Sequence, residues 1–388
     1  MRILQAHNLY QQAGGEDAVV ANEAKLLTDH GQEVRLWSVD NAAITGPWAK
    51  LRTAWQVPYS HAARWRVAAA IADFAPDVVH VHNFFPLITP SVYDACRDAG
   101  VPVVQTLHNY RTICAGALLL RNGRPCEDCI GGSPYQGALH GCYRDSRLGS
   151  LAVARMIARH REQGTWRTKV DRFIALTQFA KAKFGEAGFP ADKIAVKPNF
   201  VEDTGPQEAE TERNGALFVG RLSPEKGIGT LLTAWRDLDV QLRIAGDGPL
   251  LTAVRRTASP NVVPLGKLPP EAVNQEMTRA AFLVMPSDWY EGLPVTLVEA
   301  FCRGLPVIAS RLGAMAEIVE DRVTGLHFAP GDAHDLAAKA RWAADHPKEM
   351  RRMGANARRA YEAKYTPEVN FQQLVVIYEA AVQERATS

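Results

Sequence analysis

The chain is predicted to be an α/β protein in which two parallel sheets, each covered by helices, occupy separate domains. Three observations lead there. Short apolar stretches alternate with helical ones along nearly the whole sequence, the pattern of strands joined by helical crossovers. At 388 residues the chain exceeds what one hydrophobic core usually serves. A polar stretch, Glu202 to Asn214, interrupts the alternation near its middle.

Before that break the predicted strands are Arg2 to Ala6, Glu33 to Val39, Asp77 to Val81, Val101 to Leu107, Arg172 to Thr177 and Lys193 to Lys197. After it they are Ala216 to Gly220, Gln241 to Ala245, Ala281 to Pro286 and Pro306 to Ser310. The expected organisation is therefore a first domain over 1–200, a linker over 201–214 that serves as a hinge, a second domain over 215–366 and a terminal helix over 367–388. No internal repeat or low-complexity tract is visible.

Composition narrows the class of partner. Apolar residues make up 47% of the chain, enough for large buried sheets, and 44 basic residues against 42 acidic ones leave a formal charge of +2. So small a charge points away from nucleic acid, and attraction for anions must be local. The N-terminus lacks a long apolar stretch after its first charge, and no run of about 18 apolar residues occurs. The expectation is a cytoplasmic protein, soluble or peripheral at the inner face of the membrane.

Two carboxylates stand out. Glu291 and Glu299 bracket the start of a helix, since Pro294 suits its first turn, leaving Glu291 in the loop and Glu299 in the second turn. A carboxylate accepts from vicinal hydroxyls, and a helix N-terminus favours phosphate. Upstream, the run Ala216 to Val219 ends at Gly220 and is followed by Arg221 and Lys226, whose charges suit a diphosphate. The alternative for both cations is a solvated loop.

In open α/β sheets ligands collect at the carboxyl ends of strands, and Gly14-Gly15, His108, Arg221, Gly246 and Glu291 all follow predicted strands. The amides of Gly14 and Gly15 could approach an anion or an acceptor, or form an ordinary turn. Glu16 and Asp17 would repel a phosphate, so their side chains are expected to face the acceptor or solvent. Asp237-Leu238-Asp239 is the one Asp-x-Asp pair and is expected on the surface, which leaves Arg221, Lys226 and helix N-termini to compensate a departing anion.

In their order and spacing these blocks resemble the retaining glycosyltransferases of family 4, group 1. The matching residues are Gly14-Gly15, His108-Asn109, Pro198-Asn199, Gly220 to Gly227, Gly246-Asp247-Gly248-Pro249, Glu291 to Glu299, and Glu317 with Thr324-Gly325-Leu326. The resemblance implies the GT-B architecture, two Rossmann-like domains facing across a cleft, with the last helix returning to the first domain. It implies a donor site made of Gly15, Asn199, Gly220, Arg221, Lys226, Gly246, Gly248, Glu291, Gly292, Leu293 and Glu299. Within it Arg221 and Lys226 hold the pyrophosphate, Glu299 the ribose, and Glu291 the sugar. His108 contacts that sugar near the scissile bond, unless it is a satisfied core histidine, and Gly14, Gly15, Glu16 and Asp17 lie on the acceptor side. Implied partners are a nucleotide-sugar donor and a glycan or lipid-linked acceptor, with no cofactor needed for catalysis. A phosphorylase or synthase on the same architecture, or a bilobed sugar-binding protein, are the rival readings.

Two features lie outside the resemblance. Cys114, Cys126, Cys129 and Cys142 fall in one 29-residue window, in an expected insertion at about 110–145. The spacing suggests a structural four-thiolate zinc site, with unrelated thiols as the alternative. Tyr143 to Arg172 carries eight cations against three acids, and Trp48 to Arg66 mixes tryptophans with Lys50, Arg52, Arg64 and Arg66. Such mixtures suit an anionic membrane surface, or else a solvated helix face with tryptophans in the core.

Overall fold

The structure, a computed structural model, describes residues 1–11, 14–203 and 213–387. It divides into two compact units, Met1–Leu119, Cys126–Pro198 and Asn370–Ser388 in the first, and Leu120–Pro125 and Asn199–Val369 in the second. Most of the polar linker, 204–212, lies outside the described residues.

Six strands form the sheet of the first unit: β1 Arg2–Leu9, β2 Glu33–Asp40, β3 Val78–Asn83, β4 Val103–Leu107, β5 Arg172–Ala175 and β6 Ile194–Val196, in the order β2-β1-β3-β4-β5-β6. All pairings are parallel. β3 and β4 are buried along their full length, as strands covered on both faces must be, whereas the edge strand β2 is nowhere fully buried. Helix α1, Gly15–Asp29, turns Val20, Glu23, Leu26 and Leu27 to the core. A carboxylate on that face is unexpected, and its partners form part of the site described below.

The helix Pro367–Thr387 buries Asn370, Leu374, Ile377, Tyr378 and Ala381 at helical spacing. Leu374, Ile377 and Tyr378 share a core with Ile3, Val78, Val104 and Ile174 of the first unit's sheet. Burying each such side chain contributes about 1.5–3 kcal/mol.

The second sheet is built from β7 Ala216–Val219, β8 Leu242–Ala245, β9 Val262–Gly266, β10 Phe282–Met285, β11 Val307–Ser310 and β12 Gly325–Phe328, in the order β9-β8-β7-β10-β11-β12. Phe218, Ile244, Phe282, Val284 and Ile308 fill its core with Trp235, whose indole N–H is satisfied by the Val240 carbonyl at 2.9 Å. Two of these strands, β9 and β12, are absent from the sequence expectation. Both are edge strands, and β9 carries Pro264, a residue confined to edges because it cannot donate to a ladder.

Candidate active site

The order of the second sheet reverses between β7 and β10, and an open α/β sheet leaves a crevice beyond the carboxyl ends of such a pair. Gly220 follows β7, and Ser287, Trp289 and Glu291 follow β10. The turn closing at Gly227 is pressed against the loop after β10. Gly227 has φ 68°, and a Cβ there would fall 1.9 Å from the Pro286 carbonyl oxygen.

That close approach brings Lys226 Nζ to 2.7 Å from Glu291 Oε1. Ser287 Oγ and Trp289 Nε1 donate to the same oxygen at 2.8 and 3.1 Å. The ammonium also lies 5.6 Å from the centre of the Trp289 ring. Glu291 is 5% exposed, yet among the described residues no donor reaches its Oε2. One carboxylate oxygen is thus fixed by three donors and the other remains open to accept.

Around this pair the loops are stitched together by backbone. Gly220 N–H donates to Ala245 O, Leu222 N–H to Asp247 O and Gly246 N–H to Gly266 O, at 2.8–3.0 Å. Gly246 admits nothing larger, since a Cβ would lie 1.9 Å from the Gly220 oxygen, and Gly248 N–H is capped by the Asp247 side chain at 2.7 Å. Arg221 is exposed and, among the described residues, in no ion pair. Gly292 is half-buried and Leu293 buried.

Pro294 proves to be the N-cap of α2, Val295–Cys302, rather than a first-turn residue, because its ψ of 106° is extended. Glu299 stands in the second turn as expected, and burial pushes its carboxyl up against the opposing charge of Arg303. Asn199 is buried where the second unit begins. Asp237 and Asp239 are exposed on the amino-terminal side of β8, away from the edge that carries Glu291. A cavity of about 760 Å³, lined by Asn214, Gln241, Ala281 and Pro306 among others, also opens at that amino-terminal edge and not at the glutamate.

In the first unit His108 follows β4 and is half-buried, on the wall of a cavity of about 20 Å³ shared with His82, Asn109 and Arg111. Its Nε2 is 3.0 Å from His82 Nδ1. His82 Nε2 is in turn 3.2 Å from Glu23 Oε1, though not aligned as a hydrogen bond, and Lys197 Nζ is 3.3 Å from Glu23 Oε2. Lys197 also donates to Asn370 Oδ1 at 2.9 Å. Burial alone would raise the Glu23 carboxyl, but the Lys197 ammonium, with the His80 and His82 rings beside it, outweighs burial and holds it well below the ordinary range. Burial, together with neighbouring imidazoles, pushes His82 down to about 3 and His108 well below its ordinary value. Both rings are therefore neutral at pH 7.

The glycine loop departs from expectation at its acids. Gly14 N–H donates to Asp17 Oδ2 at 2.9 Å, capping α1, and Asp17 Oδ1 is 2.8 Å from His7 Nε2. Glu16 accepts from the Tyr10 hydroxyl at 2.8 Å and from Asn109 Nδ2 at 3.4 Å. Both side chains are half-buried and tie the loop down, Asp17 to His7 of β1 and Glu16 to Tyr10 and to the residue after His108. The carboxyl of Glu16 is pushed up to about 7, chiefly by burial. Gly14 and Gly15 themselves are exposed, with open space around both Cα atoms.

The four cysteines share a neighbourhood, but among the described residues no three of them bring their sulfurs within 4.8 Å of one another. None of the four is in a disulfide, and Cys129 is pushed up to about 11 by burial and by Cys114, Cys142 and Cys126. Among the described residues the group with three ligand atoms mutually within 4.8 Å is instead Glu23, His80 and His82. The Lys197 ammonium already neutralises that carboxylate, so the cluster reads as a buried ion-pair network.

Sequence reasoning missed Ser287 and Trp289, which hold the glutamate, and Glu23, His82, Lys197, Tyr10 and Arg111. One signal was present: His80 and His82 alternate within an apolar strand and so share a face. Arg111, half-buried with its guanidinium 4.6 Å from the centre of the Phe85 ring, carries no comparable signature.

Comparison with known proteins matches this arrangement. Residues 14–199 fit the model of the glycosyl transferase 4-like domain and residues 201–360 that of the glycosyl transferases group 1. The chain is 24% identical to the alpha-D-kanosaminyltransferase of Streptomyces kanamyceticus over 86% of its own length and 83% of that protein's. It is 32% identical to the sulfoquinovosyl transferase SQD2 of Arabidopsis thaliana over 80% of its length and 58% of the relative's. Other curated relatives are matched over about half their length. In fold it is similar to Anabaena Alr3699/HepE, crystallised in complex with UDP, with a TM-score of 0.69 at 18% identity and with 98% and 100% of the two chains covered. Two six-stranded parallel sheets in the GT-B architecture, and family models matching 14–199 and 201–360, make this chain a member of the group 1 glycosyltransferases with a glycosyl transferase 4-like first domain.

Proposed function

We propose that the chain transfers a sugar from a nucleoside-diphosphate sugar to a glycan or lipid-linked acceptor with retention of anomeric configuration, in the synthesis of a cell-surface polysaccharide or glycoconjugate. The observation that carries this reading is the Glu291 carboxylate, buried at the switch point of the second sheet with one oxygen anchored by Lys226, Ser287 and Trp289 and the other open. An open carboxylate oxygen at that edge accepts from sugar hydroxyls. Glu299, one helical turn and a loop away, takes the ribose diol.

Transfer breaks the bond from the anomeric carbon to the diphosphate oxygen and forms one to the acceptor oxygen on the same face. The acceptor proton passes to the departing phosphate oxygen. Charge growing on that group is met by Arg221, which is unpaired, by Lys226 and by the amides opening α2. The glycines at 220, 246 and 248 let backbone approach the diphosphate. In the first unit His108, neutral, offers a ring nitrogen to a sugar hydroxyl, and the loop at Gly14 and Gly15 meets the acceptor. The resemblances to kanosaminyl- and sulfoquinovosyl transferases support a sugar donor without fixing which one.

The test is nucleoside diphosphate release from UDP-, GDP- and ADP-sugars, with and without chelator, by wild type and Glu291→Ala. Release by wild type that survives chelation, and is lost in the variant, is expected. Tight binding of a free sugar with no turnover of any donor would sink the reading in favour of a binding protein.

A further inference from the structure

The helices that the first unit turns to solvent carry an apolar surface the fold does not use. Helix α3, Gly46–Gln56, has no buried residue, and Trp48, Leu51 and Trp55 are 81%, 63% and 73% exposed. Positions 48, 51, 52 and 55 recur at helical spacing, so they lie on one face. The tryptophans are therefore not core residues, which was the alternative explanation for their presence. Helix α4, Arg147–Glu162, buries Val153, Met156, Ile157 and His160 and leaves Leu148 and Leu151 at 80% and 39% exposure, with Arg155 and Arg159 continuing the outward row.

The two rows adjoin. The Arg155 guanidinium sits 5.2 Å from the centre of the Trp55 ring, and Arg159 lies 5.0 Å from that of Tyr59, just beyond α3. Charge on this face has one sign. Lys50 and Arg52 on α3 and Arg147, Arg155 and Arg159 on α4 are all exposed, α3 contains no acid, and the acid of α4 is its last residue, Glu162.

We infer that this face docks on the surface of an anionic lipid bilayer. Exposed tryptophan and leucine rimmed by arginine and lysine match an interfacial helix, in which indole rings sit at headgroup depth and cations meet lipid phosphate. A protein partner would be expected to meet charge of both signs, whereas α3 and the outward row of α4 offer exposed aromatic and aliphatic side chains among cations. No helix among the described residues is long and apolar enough to cross a membrane, so the contact would be peripheral. The inference goes beyond the reaction proposed above and does not depend on it, because it is read by binding and not by turnover.

The full chain would be sedimented with vesicles of phosphatidylcholine alone and of equal parts phosphatidylcholine and phosphatidylglycerol, over a salt series. Expected is binding to the anionic vesicles that weakens with salt, and a loss of about tenfold or more in each of two variants, W48A/L51A/W55A and K50E/R52E. Circular dichroism serves as the folding control, and both variants alter only residues outside the core. Equal binding by wild type and variants, no binding to anionic vesicles at low salt, or a concentration-dependent dimer in light scattering that W48A/L51A/W55A abolishes, would each overturn the proposal. The last outcome would assign the face to a second copy of the chain.

Discussion

Lys226 Nζ lies 2.7 Å from Glu291 Oε1 although 65 residues separate the two in sequence, and the bond exists because the glycine after Lys226 fits against the Pro286 carbonyl. The pair joins the group expected to hold diphosphate to the group expected to hold sugar. Neither is then free of the other: removing the ammonium leaves a buried carboxylate short of its charge partner, and removing the carboxylate frees the lysine to move.

Lys226→Met and Glu291→Gln should each lower kcat/KM for donor by about 10- to 100-fold, the equivalent of one charge-assisted hydrogen bond of about 1.5–3 kcal/mol. Because the residues act through a shared bond, the double variant should lose clearly less than the product of the two single losses. A double-mutant cycle on kcat/KM measures this. Strict additivity would mean that the two side chains meet the ligand independently.

Glu16 predicts a pH dependence. Its carboxyl is pushed up to about 7, mainly by burial, from the 4.5 of the free group. The folded protein thus holds a proton that the unfolded chain has released, and stability falls as pH rises across this window. The contribution is complete below about 4.5 and gone above about 7. Thermal unfolding of wild type and Glu16→Gln from pH 4 to 8 should show the variant lacking this component of the slope. The Tyr10 and Asn109 donors favour the ionised form, so these two hydrogen bonds should tighten as the carboxyl ionises, and it is the burial of the charge that lowers stability.

The second unit's site was more legible in the sequence than the first's, for a physical reason. Its candidate ligand groups sit in loops punctuated by residues with strict backbone demands, such as Gly227 and Gly246, so spacing along the chain carries the geometry. In the first unit His108 stood out at a strand end, but its surroundings come from three strands, α1 and the segment at Lys197, brought together only by packing. A single buried acid such as Glu23 looks in sequence like any helix-surface charge. The edge strands β9 and β12 were missed for local reasons: Pro264 and Gly266 punctuate β9 like a turn, and β12 is four residues long with Gly325 and His327 among them, whereas β3 and β4, buried on both faces, were plain.

Lys197 and Glu23 form a fully buried ion pair, so breaking it and replacing it should differ in sign of consequence. Lys197→Met alone strands the carboxylate and should cost about 3–5 kcal/mol in urea unfolding. Adding Glu23→Gln removes the uncompensated charge and should recover most of that loss. A double variant as unstable as the single one would mean that Asn370, which also accepts from the lysine, and not the charge, is what the ammonium serves.

The same network should set the proton on His108. His82 Nε2 faces a Glu23 oxygen at 3.2 Å, and only an N–H there avoids opposing lone pairs to the carboxylate. His82 Nδ1 is then the acceptor, and it receives the hydrogen of His108 Nε2 across 3.0 Å. That leaves His108 Nδ1 bare, a neutral acceptor of the kind the proposed reaction asks of it at a hydroxyl of the donor. Nitrogen-15 spectra of histidine-labelled protein should show His82 and His108 each neutral and protonated on Nε2 from pH 5 to 8, consistent with burial holding both far below their ordinary range. His82→Phe keeps the bulk but removes the acceptor, so His108 should become a mixture of tautomers while KM for donor rises more than kcat falls. A His108 protonated on Nδ1 in wild type would break the chain of inference at its first link, because the ring would then present a donor, not an acceptor, to the sugar.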